Sequence, residues 1–326
     1  MRSQWLLCLL VAASLAGGVA RGEAAITIVD DLPGAGRLAA PATGQTLYVL
    51  DDTARTVTAV DPFAPAKRWR AIGPADLDAG STEPVRPAAI ACIDSNTLAI
   101  VCRVGGEWTL RAFRLAPPGV DGGAPSLLQS LPLGNAANAS SSADVFVSDT
   151  RDWLAVVGLP APLPPVVRAP IAGARLGNFS DRLCPPIESS DGLEAATSSP
   201  FDEWVVIFRR DAPPPGRTAL SFHANTARPR LLDLDPALAG VRDAAFCRGN
   251  GTLWVVAEGD GKTAAEAGLW RIDAALATGR QVAVPVAVAR LPAPLSVVCL
   301  SERAVAISGG GADRRVLLVN PAQPQP

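Results

Sequence analysis

A unit of about fifty residues recurs along this chain. A period of that length restricts the fold more than any other feature of the sequence, because one such unit cannot bury its own apolar face and must stack on its neighbours. Each copy reads as a short apolar strand, a tight polar turn, a second strand, a variable polar loop and a third strand with an alternating pattern. The clearest copies are Ala88 to Cys92, Thr97 to Val101 and Leu110 to Leu115, and again Asp243 to Cys247, Thr252 to Val256 and Leu269 to Ile272. With the second strand as a ruler, its first core residue falls at Leu47, Leu98, Leu154, Val205, Leu253 and Val305, in steps of 48 to 56 residues. Such steps fit one four-stranded unit per repeat, and no helical period competes. The turns between first and second strands carry hairpin chemistry, strongest at Asn250-Gly251 and weaker at Thr43-Gly44, Asp94 to Asn96 and Asp149 to Asp152.

Six such units predict an all-β, six-bladed β-propeller. The sixth repeat ends its third strand at Arg315 to Val319, and the Pro-rich remainder to Pro326 is too short for a fourth. At the other end, Ile26 to Leu32 precedes the first repeat and has no place in it. That N-terminal strand is therefore expected to become the outer strand of the last blade and close the ring, which removes exposed strand edges. A seven-bladed ring is the alternative, should residues 172–192 contain an extra pair of strands. Six residues ahead of each ruler position stand Pro41, Cys92, Ser148, Ser199, Cys247 and Cys299, all small. Inner strands of a propeller converge on an axis, so small side chains suit that level. On this reading the three cysteines are packed as small hydrophobes, with a disulfide or a reactive thiol as the alternative.

The N-terminus joins Arg2, an apolar run from Trp5 to Ala16 and the small-residue ending Ala20-Arg21-Gly22, the pattern of a secretory signal. The expected organisation is a signal peptide over residues 1–22, with cleavage after Gly22 or Ala20, one propeller domain over 23–320 and a tail over 321–326. The mature protein is expected outside the cytoplasm, secreted or periplasmic, without membrane insertion and as a monomer. Net charge is -2 and the basic residues are scattered, which argues against a nucleic-acid partner. Hydrophobic residues make up 48% and charged ones 18%, enough for a large core. Past the leader stand Cys92, Cys102, Cys184, Cys247 and Cys299, an odd number with no C-x-x-C pair, so zinc-ribbon and thioredoxin-like chemistry is not indicated. His223 is the single histidine, so a multi-histidine zinc site is excluded and any His-dependent triad must use it.

The stretches Gly44 to Asp51 with Thr56 to Pro62, and Gly251 to Glu258 with Leu269 to Asp273, resemble the exported YVTN, NHL and gluconolactonase-like propellers. The resemblance covers most of the chain past the leader and implies blade geometry. The gluconolactonase-like enzymes hold a divalent cation on carboxylate and amide side chains in the central channel, starting from an early Glu-Gly-Pro; this chain has no such tripeptide. The loop face expected to meet ligands carries Asp52, Arg103, Arg210, Glu258, Asp260, Asp313 and Arg314, a mixture suited to charge-assisted hydrogen bonds with a polar ligand. Asp76, Asp78 and Glu83 are spaced as in an oxygen-rich calcium loop without completing the EF-hand pattern. Besides an accessory subunit of a larger periplasmic or surface assembly, two functions stay open. One is a non-catalytic propeller that binds a protein, glycan or small polar ligand on its loop face, with no cofactor. The other is a metal-assisted hydrolase or lyase with a divalent cation near Asp52, Glu258 and Asp260.

Overall fold

A computed structural model describes residues 25–320 except 30–31, 33–34, 117–122, 136–142, 165, 180–192, 201–203, 210–217, 224–228, 234–237, 239, 248–250, 259–267, 274–282, 287–293, 302–303 and 310–314. The leader and the C-terminal tail, 321–326, fall outside the described residues. Strand β1 (Ala25–Val29) comes first. The first sheet joins β2 (Leu38–Ala39), β3 (Leu47–Asp51), β4 (Thr56–Val60) and β5 (Arg68–Ile72), and is followed by a one-turn helix, α1 (Pro74–Leu77). The second holds β6 (Val85–Asp94), β7 (Thr97–Val104), β8 (Glu107–Arg114) and β9 (Ser126–Asn135). The third holds β10 (Asp144–Val147), β11 (Trp153–Val157), β12 (Val166–Ala172) and β13 (Arg175–Leu176). The fourth holds β14 (Leu193–Ser198), β15 (Trp204–Arg209), β16 (Thr218–His223) and β17 (Pro229–Asp233). The fifth holds β18 (Val241–Phe246), β19 (Leu253–Ala257), β20 (Gly268–Ile272) and β21 (Val284–Val286). The sixth takes β22 (Pro294–Ser301), β23 (Ala304–Gly309) and β24 (Arg315–Asn320), with β1 as its outer strand in antiparallel register from Ala25–Asn320 to Val29–Val316.

Apolar clusters fill the space between successive sheets. Leu50, Ile72 and Leu77 of the first sheet region meet Ile90, Leu98 and Phe113 of the second, and comparable clusters join each later pair. A further cluster joins the sixth sheet to the first through Leu300, Ala306 and Val316 against Leu38, Leu47 and Val49. Because neighbours cover both faces of each sheet, strands such as β11 and β19 are buried at every residue and read as unbroken apolar runs rather than alternating ones. The first strand of each sheet lies innermost in this stack. β2 approaches both β6 and β22. The Ser296 hydroxyl accepts from the Leu38 amide (3.1 Å), and the Ser308 hydroxyl donates to the Gly36 carbonyl (2.5 Å), so polar bonds also cross from the sixth sheet to the first.

Gly44 shows how tight that junction is. Its φ is +61°, and a Cβ there would lie 1.8 Å from the Leu300 carbonyl oxygen, so only glycine fits the turn between β2 and β3. Residues 172–179, at the start of the stretch that raised a seven-bladed alternative, complete β12 and provide β13; 180–192 lie outside the described residues. The cysteines require a correction. Cys247 and Cys299 are joined in a disulfide with Cα atoms 5.4 Å apart, linking the fifth and sixth sheets. For this pair the packed-hydrophobe reading gives way to the disulfide alternative: Cys247, just past the end of β18, and Cys299 on β22 stand at one level of adjacent sheets, at the spacing a disulfide needs. Cys92 and Cys102 are buried thiols, and burial pushes the Cys102 thiol up to about 12. Cys184 lies outside the described residues.

Candidate functional site

All six innermost strands, with the turns that follow β2, β10 and β14, line one cavity of about 530 Å³. Both of its buried carboxylates lie where these strands begin. Arg37 precedes β2, Asp144 opens β10, Asp243 lies near the start of β18 and Ser296 near the start of β22.

The two aspartates are held in the same way. Each accepts from the next amide of its own strand and from an amide on the first strand of the following sheet. For Asp144 these donors are Val145 N (2.9 Å) and Ala196 N (3.4 Å); for Asp243 they are Ala244 N (2.8 Å) and Val297 N (2.9 Å). Each carboxylate is thus a latch between neighbouring sheets. Asp243 is held more fully, because the Ser296 hydroxyl donates to it at 2.5 Å and the Arg37 guanidinium lies 3.8 Å away. Arg37 is itself fixed by donating to the carbonyls of Arg242 (3.1 Å) and Leu295 (3.2 Å).

Burial and charge set the protonation. Asp144 and Asp243 are 7% exposed each. Burial and the neighbouring Asp243 charge push Asp144 up to about 7, against the smaller opposing pull of Arg37 and the two amides. Asp243 is also raised by burial, opposed by Arg37, Ser296 and its two amide donors. The guanidinium and the hydroxyl favour the charged form of Asp243 more than the two amides favour that of Asp144, so Asp144 is the readier of the two to hold a proton.

The residues expected from sequence are dispersed around this centre. Asp52 is exposed on the turn between β3 and β4, within reach of the Thr53 hydroxyl (3.4 Å). Arg103 lies near the end of β7, partly buried and opposite Trp108. Glu258 pairs with Arg242 at 2.7 Å, beside the cavity rather than in its lining. Arg210, Asp260, Asp313 and Arg314 lie outside the described residues, and His223 closes β16 opposite Trp204. Asp76 and Asp78 serve protein donors: Asp76 caps α1 by accepting from Gly73 N (2.7 Å), and Asp78 accepts from Val85 N (2.8 Å) and pairs with Arg55. Burial raises Asp78, but the Val85 amide and Arg55 outweigh it and hold the carboxyl below its ordinary value. Glu83 is exposed. Among the described residues no group of three His, Cys, Asp or Glu side chains is placed to hold a metal ion.

The sequence reading missed Arg37, Asp144 and Asp243. A usable signal existed, since Asp144 and Asp243 stand equally far ahead of the ruler residues Leu154 and Leu253.

No family model and no curated protein matches the sequence. Solved structures do match in shape. The PQQ-bound aldose sugar dehydrogenase of Streptomyces coelicolor superposes with a TM-score of 0.56 at 12% identity, over 91% of this chain and 98% of that one. The major Malassezia sympodialis allergen Mala s 1 gives 0.58 at 11%, over 90% and 96%. A gluconolactonase of Xanthomonas campestris gives 0.56 at 14%, over 94% and 92%. The chain is a β-propeller. At these identities the likeness establishes the fold and not an activity, since one fold carries many functions. The proteins it resembles include both enzymes and an allergen.

Proposed function

We propose that this propeller has six blades, closed into a ring by β1, and acts as a non-catalytic binding protein for a small polar ligand held in the central cavity. The six four-stranded sheets and the apolar seam between the sixth and the first support the ring. One observation carries the binding reading: Arg37, Asp144, Asp243 and Ser296, at or beside the starts of four different inner strands, line one concave space of about 530 Å³. Convergent polar groups in a concave cavity of that size are what a small-molecule site requires. An extracytoplasmic location agrees with the leader-like N-terminus and with the Cys247–Cys299 bridge, which persists best in an oxidising compartment.

Thermal unfolding against a library of small polar compounds tests the reading, because a ligand that binds only the native state raises its stability. Stabilising compounds should lose their effect in Asp144→Asn and Arg37→Lys and keep it in Asp52→Asn and Arg103→Gln. The reverse pattern would move the site to the loop face.

A further inference from the structure

The charge around the cavity does not balance, and the imbalance selects a ligand class. At the end where the inner strands begin stand two carboxylates, Asp144 and Asp243, and one guanidinium, Arg37. Arg37 lies against Asp243, which also takes the Ser296 hydroxyl. Asp144 is served by two backbone amides alone among the bonds described, one of them long at 3.4 Å, and each of its oxygens keeps acceptor capacity. The other described groups facing this space do not supply the missing positive charge. Arg242 is engaged with Glu258 at 2.7 Å. The second sheet contributes Ile90, Ala91 and Cys92, and the fourth Ala196, Thr197, Ser198 and Pro200. Asp149 and Arg151 lie toward the opposite end, one of each sign, and Arg151 donates to the Ile93 carbonyl at 3.2 Å. Burial keeps the Cys92 thiol protonated.

Resting on the cavity reading above, we infer that the ligand carries a primary ammonium group, and that this group binds Asp144 while Arg37 and Ser296 stay with Asp243. A buried carboxylate without a cation is costly to ionise, so in the empty protein Asp144 holds a proton. An incoming ammonium restores the balance, forms a charge-assisted hydrogen bond and expels that proton to solvent. Binding is therefore coupled to proton release. Below neutrality the affinity should fall on the order of tenfold per pH unit, the slope of a one-proton linkage.

The test uses three four-carbon probes of similar size on the purified protein: putrescine, 1,4-butanediol and succinate, followed by isothermal titration. Putrescine should bind at least ten times more tightly than either of the others. Its enthalpy at pH 6.5 should vary with the ionisation enthalpy of the buffer, as release of about one proton demands. Asp144→Asn should remove both effects; because the proton count is read on the unaltered protein, the test survives a variant that fails to fold. Putrescine binding no tighter than butanediol, or without proton release, overturns the inference. If butanediol or succinate then binds and loses binding in Arg37→Lys, the cavity is a ligand site of another class. Silence from all three probes and from the polar library removes both readings.

Discussion

Where the inner strands begin, the cavity is walled by Arg37, Asp144, Asp243 and Ser296; where they end, it is walled by small residues such as Pro41, Cys92, Ser148 and Cys299, with Asp149 and Arg151 beside them. Both ends use side chains to join neighbouring sheets, but with different consequences. At the far end the joints are closed: a disulfide bridges Cys247 and Cys299, and the Ser198 hydroxyl accepts from Asp149 N at 3.2 Å. At the near end the aspartate latches leave carboxylate oxygens facing the cavity. The far-end joints use up their own bonding groups, whereas the Asp144 latch keeps acceptor capacity on a buried carboxylate.

The largest expected effect breaks the near end. Asp243→Ala strands two amides, the Ser296 hydroxyl and Arg37, and should cost about 3–5 kcal/mol, read from urea unfolding. At the far end, Cys247→Ser with Cys299→Ser, which opens a link across 52 residues, should cost ~2–4 kcal/mol in the same assay. A loss there larger than for Asp243→Ala would reverse the ranking of the two ends. Gly44→Ala should cost ~1–3 kcal/mol, because the new Cβ meets the Leu300 carbonyl and the residue must keep a positive φ. A further effect comes from pH. Asp144 titrates higher folded than unfolded, so the native state binds more protons between pH 4 and about 7, and stability from this group is present in acid and lost as pH rises through that window. Melting temperatures at pH 5 and pH 8 should therefore differ less in Asp144→Asn than in the wild type.

Much of the architecture was legible because it rests on periodicity. The ruler residues Leu47, Leu98, Leu154, Val205, Leu253 and Val305 all fall on the second strand of their sheets, where burial on both faces imposes an apolar run. The strand at Ile26 was placed by elimination and pairs with β24. The site was not legible in the same way. Asp144 and Asp243 sit at strand starts, where an acidic residue looks like the polar end of a loop, and their second amide donors lie about a blade further along the chain, at Ala196 and Val297. Arg37 flanks a two-residue strand too short to show any pattern. The disulfide was legible only as two cysteines at one level of the repeat; which cysteines face each other depends on the neighbouring sheet.

The most direct measurement is a structure of the protein with the tightest binder from the polar library. The account predicts that ligand in the central cavity, within hydrogen-bonding distance of Asp144 and beside the Arg37–Asp243 pair. A ligand seated instead on the outer loops around Asp52 and Arg103, with the cavity unchanged, would contradict it.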